Sequence, residues 1–151
     1  MSKKTLIITD GSKAVQSIAL LIKNALTDYN ATVKISSQKL AVRICSAENF
    51  EGTDLLPADI FFIGCETRSP KSFAYLEEML SHINLASRKC GIFSTEEKNL
   101  NYLKSILKDC EVYTGTPLLF EHCKINNSET KNSAVNDWVK TLLNCDLKTK
   151  N

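Results

Sequence analysis

The sequence contains little glycine and proline and no long apolar run. Among its 151 residues there are 5 glycines and 3 prolines, whereas 43% of the residues are hydrophobic and 24% are charged. This composition excludes collagen-like repeats, low-complexity tracts and intrinsic disorder. No stretch approaches the 18 apolar residues of a membrane span, and no secretory signal is visible. We therefore expect residues 1–151 to form a single cytoplasmic domain that does not bind membranes.

Clustered charge and paired cysteines are also missing. The 19 Lys and Arg residues are offset by 17 Asp and Glu residues, and the basic residues are scattered along the chain. This distribution argues against nucleic-acid binding. None of the 6 cysteines lies in a C-x-x-C pair or has zinc-ligand spacing to a histidine, so we interpret them as reduced core thiols.

Short apolar runs rich in β-branched residues alternate with stretches of helical periodicity, and the runs predict buried strands. For the second strand two alternatives exist, residues 33–35 and residues 40–45, and we favour the second. A fifth strand over residues 111–120 is expected to be interrupted near Pro117, because proline cannot donate a ladder hydrogen bond. The other predicted strands are residues 5–9, 60–64 and 90–93.

The predicted helices are marked by start signals. Ser12 is the expected N-cap of the first helix, and Ser69 followed by Pro70 is a strong start for the next one. Ser94 and Glu97 have the spacing of a capping box, which predicts a further helix start.

Two helix ends are predicted from apolar spacing. The buried face of the helix after Pro70 extends to Ile83. The last helix is expected to follow a polar loop over residues 126–133 and to end near Cys145, with Trp138 on its core face.

Five strands alternating with helices predict a doubly wound α/β domain with a parallel sheet covered on both faces. Ligands in such domains bind beyond the carboxyl ends of the strands, where the strand order reverses. The segments to examine are the loops after the first, third and fourth strands.

Loop one reads Thr9-Asp10-Gly11-Ser12-Lys13-Ala14. Its glycine permits a tight turn, and its hydroxyls and free N–H groups, next to a helix N-terminus, are suited to an anion such as phosphate. Glycine and serine before a helix also form an ordinary cap, and Asp10 places a negative charge where a phosphate needs donors. Both interpretations remain open at this point.

Loop two contains Cys65-Glu66-Thr67-Arg68, and loop three begins with Ser94-Thr95. Together with loop one, their order and spacing resemble the flavodoxin family over nearly the whole chain. The resemblance is strongest in three segments, residues 58–65, 76–80 and 88–95. It implies a five-stranded sheet of order 2-1-3-4-5.

The resemblance further implies a one- or two-electron carrier that holds FMN noncovalently and exchanges electrons with redox partner proteins, and we expect it to be a monomer. The FMN phosphate is expected on Thr9, Gly11, Ser12 and Lys13, and the ring between loops two and three. The full set of expected cofactor-binding residues is Thr9, Asp10, Gly11, Ser12, Lys13, Ala14, Cys65, Glu66, Thr67, Arg68, Ser94 and Thr95.

Some residues depart from the family pattern. Asp10 stands before Gly11, Lys13 replaces a hydroxyl residue, and Arg68 occupies a place where family members often carry an aromatic residue. A cation beside the ring stabilises its reduced form, so Arg68 is expected to raise the reduction potential. The alternative function is a flavin-free interaction or scaffold domain.

The same loops allow two other hypotheses. A response-regulator receiver needs an aspartate at the end of the third strand, where this chain has Gly64 and Cys65. Cys65 is either a small residue that fills a tight site or, if Arg68 and a helix N-terminus lower its pKa, a reactive thiolate.

Overall fold

The structure is a computed structural model that describes residues 3–32, 40–49, 51, 58–67, 71–120 and 128–144. The elements in chain order are β1 (Lys3–Thr9), α1 (Lys13–Thr32), β2 (Leu40–Ser46), β3 (Ala58–Cys65), a 3-10 turn (Lys71–Phe73), α2 (Ala74–Leu80), β4 (Lys89–Ser94), α3 (Glu97–Leu107), β5 (Tyr113–Thr114), β6 (Leu118–Leu119) and α4 (Ser128–Leu143).

The strands form one parallel sheet in the order β2-β1-β3-β4-β5, with β6 also paired to β4. Thr9 lies opposite Gly64, and Cys65 lies opposite Ser94, so the carboxyl ends of the three central strands are level. The predicted doubly wound sheet of order 2-1-3-4-5 is confirmed. The favoured second strand is also confirmed, whereas its alternative at residues 33–35 lies outside the described residues.

The predicted fifth strand is divided into two short segments. β5 pairs with β4 at Lys89 and Cys90, and β6 pairs with β4 at Phe93 and Ser94. The chain between the two segments contains one residue more than the opposing stretch of β4, so the strand bulges. The interruption near Pro117 is thus confirmed.

Side chains of the central strands alternate between two apolar layers. Ile7 and Phe62 point toward the layer formed with α1 and α4. Ile8, Phe61 and Ile63 point toward the layer formed with α2 and α3. Both faces of the sheet are therefore covered by helices, as a buried parallel sheet requires.

Aromatic rings pack directly on glycine in the α1 and α4 layer. A Cβ atom at Gly64 would overlap the ring of Phe93, and one at Gly91 would lie 2.6 Å from Cδ2 of Phe62. Trp138 packs on Phe62 with ring centroids 5.6 Å apart, and its indole N–H donates to the carbonyl of Thr116. Trp138 is therefore a partly buried residue packed against this layer.

Two predicted helix starts are wrong. Ser94 ends β4 and does not cap α3, whose N-cap is Glu96 without a side-chain hydrogen bond. The Ser94 hydroxyl instead donates across the sheet to the carbonyl of Cys65. The helix α4 begins at Ser128, inside the predicted polar loop, because polar residues without glycine or proline do not prevent a helix.

The end of α2 also differs from the prediction. The helix ends at Leu80, and Ile83 follows it in a turn but still packs against the core. The predicted start at Ser69 and Pro70 lies outside the described residues, whereas α4 ends at Leu143, close to the predicted end near Cys145. Within the described segments, no helix is both long and apolar enough to span a membrane.

Candidate functional site

The three loops meet at the carboxyl edge of the sheet. Oδ2 of Asp10 in loop one accepts a hydrogen bond from the backbone N–H of Glu66 in loop two, at 2.8 Å. Oγ of Ser94 in loop three donates to the carbonyl of Cys65 in loop two, at 2.6 Å. The structure thus brings together the segments that the sequence predicted to converge.

Loop one makes a tight turn at Gly11, whose φ of +86° lies in the region that favours glycine. A Cβ atom added at Gly11 would have no other atom within 4 Å, so the turn borders open space. The N–H of Gly11 donates to Oγ1 of Thr9 at 3.2 Å. Oγ of Ser12 is buried and has no hydrogen-bond partner, which leaves one hydroxyl donor unused at the start of α1.

The Asp10 carboxylate occupies the space between loops one and two. Oδ1 accepts the N–H of Ser12 at 3.0 Å, while Oδ2 accepts that of Glu66. A negative charge beside the N-terminus of α1 is favourable, because the helix dipole is positive there. The same charge opposes a second anion nearby, as the sequence suggested.

Cys65 is fully buried at the end of β3. Burial raises the pKa of its thiol to about 12, and the Asp10 carboxylate adds to the increase. The hypothesis of a reactive thiolate at this position is therefore wrong, because the expected lowering of the pKa is reversed by burial.

The predicted site residues differ in accessibility. Gly11, Lys13 and Thr67 are exposed, and Asp10, Ser12, Ala14 and Glu66 are half-buried. The side chains of four others are buried behind them, namely Thr9, Cys65, Ser94 and Thr95. Arg68 lies outside the described residues. The exposed and half-buried residues form the accessible part of the sheet edge, and the four buried residues pack beneath them.

Asn99, in the first turn of α3, was missed by the sequence analysis. Its side chain is completely buried. Nδ2 donates to the carbonyl of Glu66 at 2.7 Å and to Oγ of Ser94 at 3.1 Å, whereas Oδ1 has no partner. The sequence does carry a signal for it: Asn99 lies four positions before Leu103, so the helical spacing places this polar residue on the buried face of the helix.

A metal does not fit the described part of the chain, where no three His, Cys, Asp or Glu residues form a group that could hold an ion. The chemistry available at the edge is that of backbone amides, hydroxyls, the carboxylates of Asp10 and Glu66 and the ammonium of Lys13.

No protein-family model and no curated protein sequence matches the chain. Solved structures do. A short-chain flavodoxin associated with a bacterial microcompartment has a TM-score of 0.72 at 12% identity, with 95% of this chain and 97% of that chain covered. A flavodoxin from Streptococcus pneumoniae gives 0.72 at 14% identity, covering 95% and 98%. An FMN-bound flavodoxin from Fusobacterium nucleatum gives 0.64 at 10% identity, covering 95% and 98%. The fold is therefore flavodoxin-like.

Proposed function

We propose that this flavodoxin-like domain binds FMN noncovalently and carries electrons between redox partner proteins. The observation that supports the proposal is the buried hydroxyl of Ser12, which has no partner and stands beside the open turn at Gly11. A buried polar group without a partner costs about 1–3 kcal/mol. A phosphate oxygen would satisfy this hydroxyl at the N-terminus of the 20-residue helix α1, where an anion is favoured.

Loop one supplies the phosphate contacts in this proposal. The Ser12 hydroxyl and the first-turn amides of α1 donate to the phosphate, and the exposed ammonium of Lys13 balances its charge. Thr9 does not contact the phosphate in this proposal. Its hydroxyl oxygen accepts a hydrogen bond from the N–H of Gly11 and so fixes the turn.

Loops two and three supply the ring contacts. Glu66 and Thr67 are the accessible residues of loop two in the described part of the chain. The buried Ser94 hydroxyl, which is bonded to Cys65, keeps loops two and three together. When bound, FMN provides one- and two-electron transfer, and the chain provides its position and its electrostatic surroundings. The expected effect of Arg68 on the reduction potential stays a prediction.

A flavin-free interaction domain is the second candidate. The observation that favours it is the pair of hydrogen bonds by which Asp10 already occupies the N–H groups of Ser12 and Glu66. Those two amides are then not available to a ligand.

A titration with FMN distinguishes the two candidates. Binding shifts the ring absorbance and quenches its fluorescence, and the Gly11→Asp variant should lose binding, because its carboxylate enters the open space beside the turn. The variant should keep its fold with a small loss of stability from the positive φ at this position, which circular dichroism and a urea titration measure. Riboflavin, which lacks the phosphate, should bind more weakly than FMN. Indifference to FMN at high micromolar concentration rejects the proposal and supports the flavin-free domain.

A further inference from the structure

Glu66 is held on both sides by side chains that lie outside loop two. Its N–H donates to the Asp10 carboxylate at 2.8 Å, and its carbonyl accepts from Nδ2 of Asn99 at 2.7 Å. One contact comes from loop one and the other from helix α3. The backbone of this residue is therefore fixed by groups from two separate elements.

The preceding carbonyl, that of Cys65, accepts a hydrogen bond from the Ser94 hydroxyl. Oγ of Ser94 in turn accepts a hydrogen bond from Nδ2 of Asn99 at 3.1 Å. The Asn99 amide group thus fixes two consecutive peptide carbonyls. It donates directly to the carbonyl of Glu66, and it donates to Ser94, which in turn donates to the carbonyl of Cys65. Because Asn99 is completely buried, it exerts this effect without reaching solvent or a ligand.

Asn99 is a polar residue at an apolar position of its helix. Asn99 lies on a helix face that otherwise buries Leu100, Leu103 and Leu107, and its Oδ1 has no hydrogen-bond partner. The unsatisfied Oδ1 is destabilising; a leucine would lack it, but would also remove the donor from the Glu66 carbonyl and from Oγ of Ser94. What the asparagine contributes is the two donated hydrogen bonds, and these act on the position of the chain at the end of β3.

We propose that Asn99 is a positioning residue that presets the backbone of Glu66 for the flavin ring. The inference rests on the proposed function, since Glu66 belongs to the loop assigned to the ring. It adds a residue that contacts no ligand atom and yet determines how tightly the ligand binds, because the loop is ordered before the ligand arrives and less entropy is lost on binding.

The decisive variant is Asn99→Leu, which keeps the branched shape of the side chain, although it is larger, and removes the donor. We expect it to fold and to bind FMN about tenfold more weakly, the equivalent of about 1.4 kcal/mol. Asn101→Ala is the matched control, because Asn101 is exposed on the same helix. It should leave FMN affinity unchanged.

A second measurement works in the ligand-free protein. Amide hydrogen exchange at Glu66 should become about tenfold faster in Asn99→Leu, while exchange at Ile63, in the buried part of β3, should stay at the wild-type rate. Equal acceleration at both amides would show that Asn99 only supports the core, and would overturn the inference.

The outcomes separate this inference from the proposed function. FMN binding that Asn99→Leu leaves unchanged overturns the role of Asn99 and leaves the proposed function standing. No FMN binding by the wild-type chain overturns both. Should Asn99→Leu fail to fold, Asn99→Ala provides the same comparison of affinity and exchange against Asn101→Ala.

Discussion

Replacing Asp10 with asparagine removes one negative charge beside the proposed phosphate site. A phosphate at Ser12 is two residues away, at most about 7 Å in an extended chain and closer in this tight turn. Two unit charges at that limit repel by about 0.6 kcal/mol in water and by about 2.4 kcal/mol at an effective dielectric of 20. Asp10 is half-buried, so we take about 1 kcal/mol, which makes the phosphate contribution to Kd about fivefold more favourable.

The assay must separate this gain from the change at loop two. Asparagine retains only one of the two oxygens that accept the N–H groups of Ser12 and Glu66, so ring binding and stability are also affected. Riboflavin shares the ring but lacks the phosphate. The quantity to measure is therefore the Kd for riboflavin divided by the Kd for FMN, which we expect to rise about fivefold in Asp10→Asn.

The matched control is Asp109→Asn, which removes the same charge from the exposed turn after α3, beyond the opposite end of the central strands. Its ratio of riboflavin to FMN affinity should equal that of the wild type. A ratio that stays constant or falls in a folded Asp10→Asn protein would refute the reasoning, because the carboxylate would then not oppose the phosphate.

Two further predictions concern stability. Gly91→Ala should lower the free energy of unfolding by about 1–3 kcal/mol in urea, because its Cβ would lie 2.6 Å from Cδ2 of Phe62. Gly115→Ala, with its nearest atom at 3.3 Å, should cost less, and equal losses would contradict this explanation. Burial raises the pKa of Cys65 from its ordinary value of 9.0 to about 12 and raises that of Cys90 well above 9.0. Above pH 9 the unfolded chain therefore binds fewer protons than the folded one, and stability should fall by up to about 1.4 kcal/mol per pH unit for each thiol. Cys65→Ala should reduce that slope in unfolding curves between pH 9 and 11, and an unchanged slope would show that the thiol does not contribute.

The strands could be predicted because each carries its own local signal. A run of β-branched apolar residues such as residues 5–9 must be buried wherever it lies, and Pro117 interrupts pairing whatever its neighbours are. The sheet order then followed from the family resemblance, and the structure confirms it.

The contacts of the polar side chains could not be predicted in the same way. Ser94 has a local partner in the capping-box pattern, but its hydroxyl bonds to Cys65, 29 residues away in sequence. Asn99 bonds to Glu66 at a separation of 33 residues. Such pairings depend on which strand ends meet, and that is known only once the sheet has formed. The same reason explains Cys65, whose pKa follows from burial instead of from nearby residues in sequence.

The divided fifth strand has a consequence for association. β5 and β6 each pair with β4 over two residues, and the extra residue between them breaks the line of backbone groups along that flank. An extended peptide or a second chain needs a continuous flank to add itself as another strand. The described flank beyond β4 therefore does not favour such addition, so a partner that meets the molecule on this flank is directed to side chains and loops instead of to the backbone.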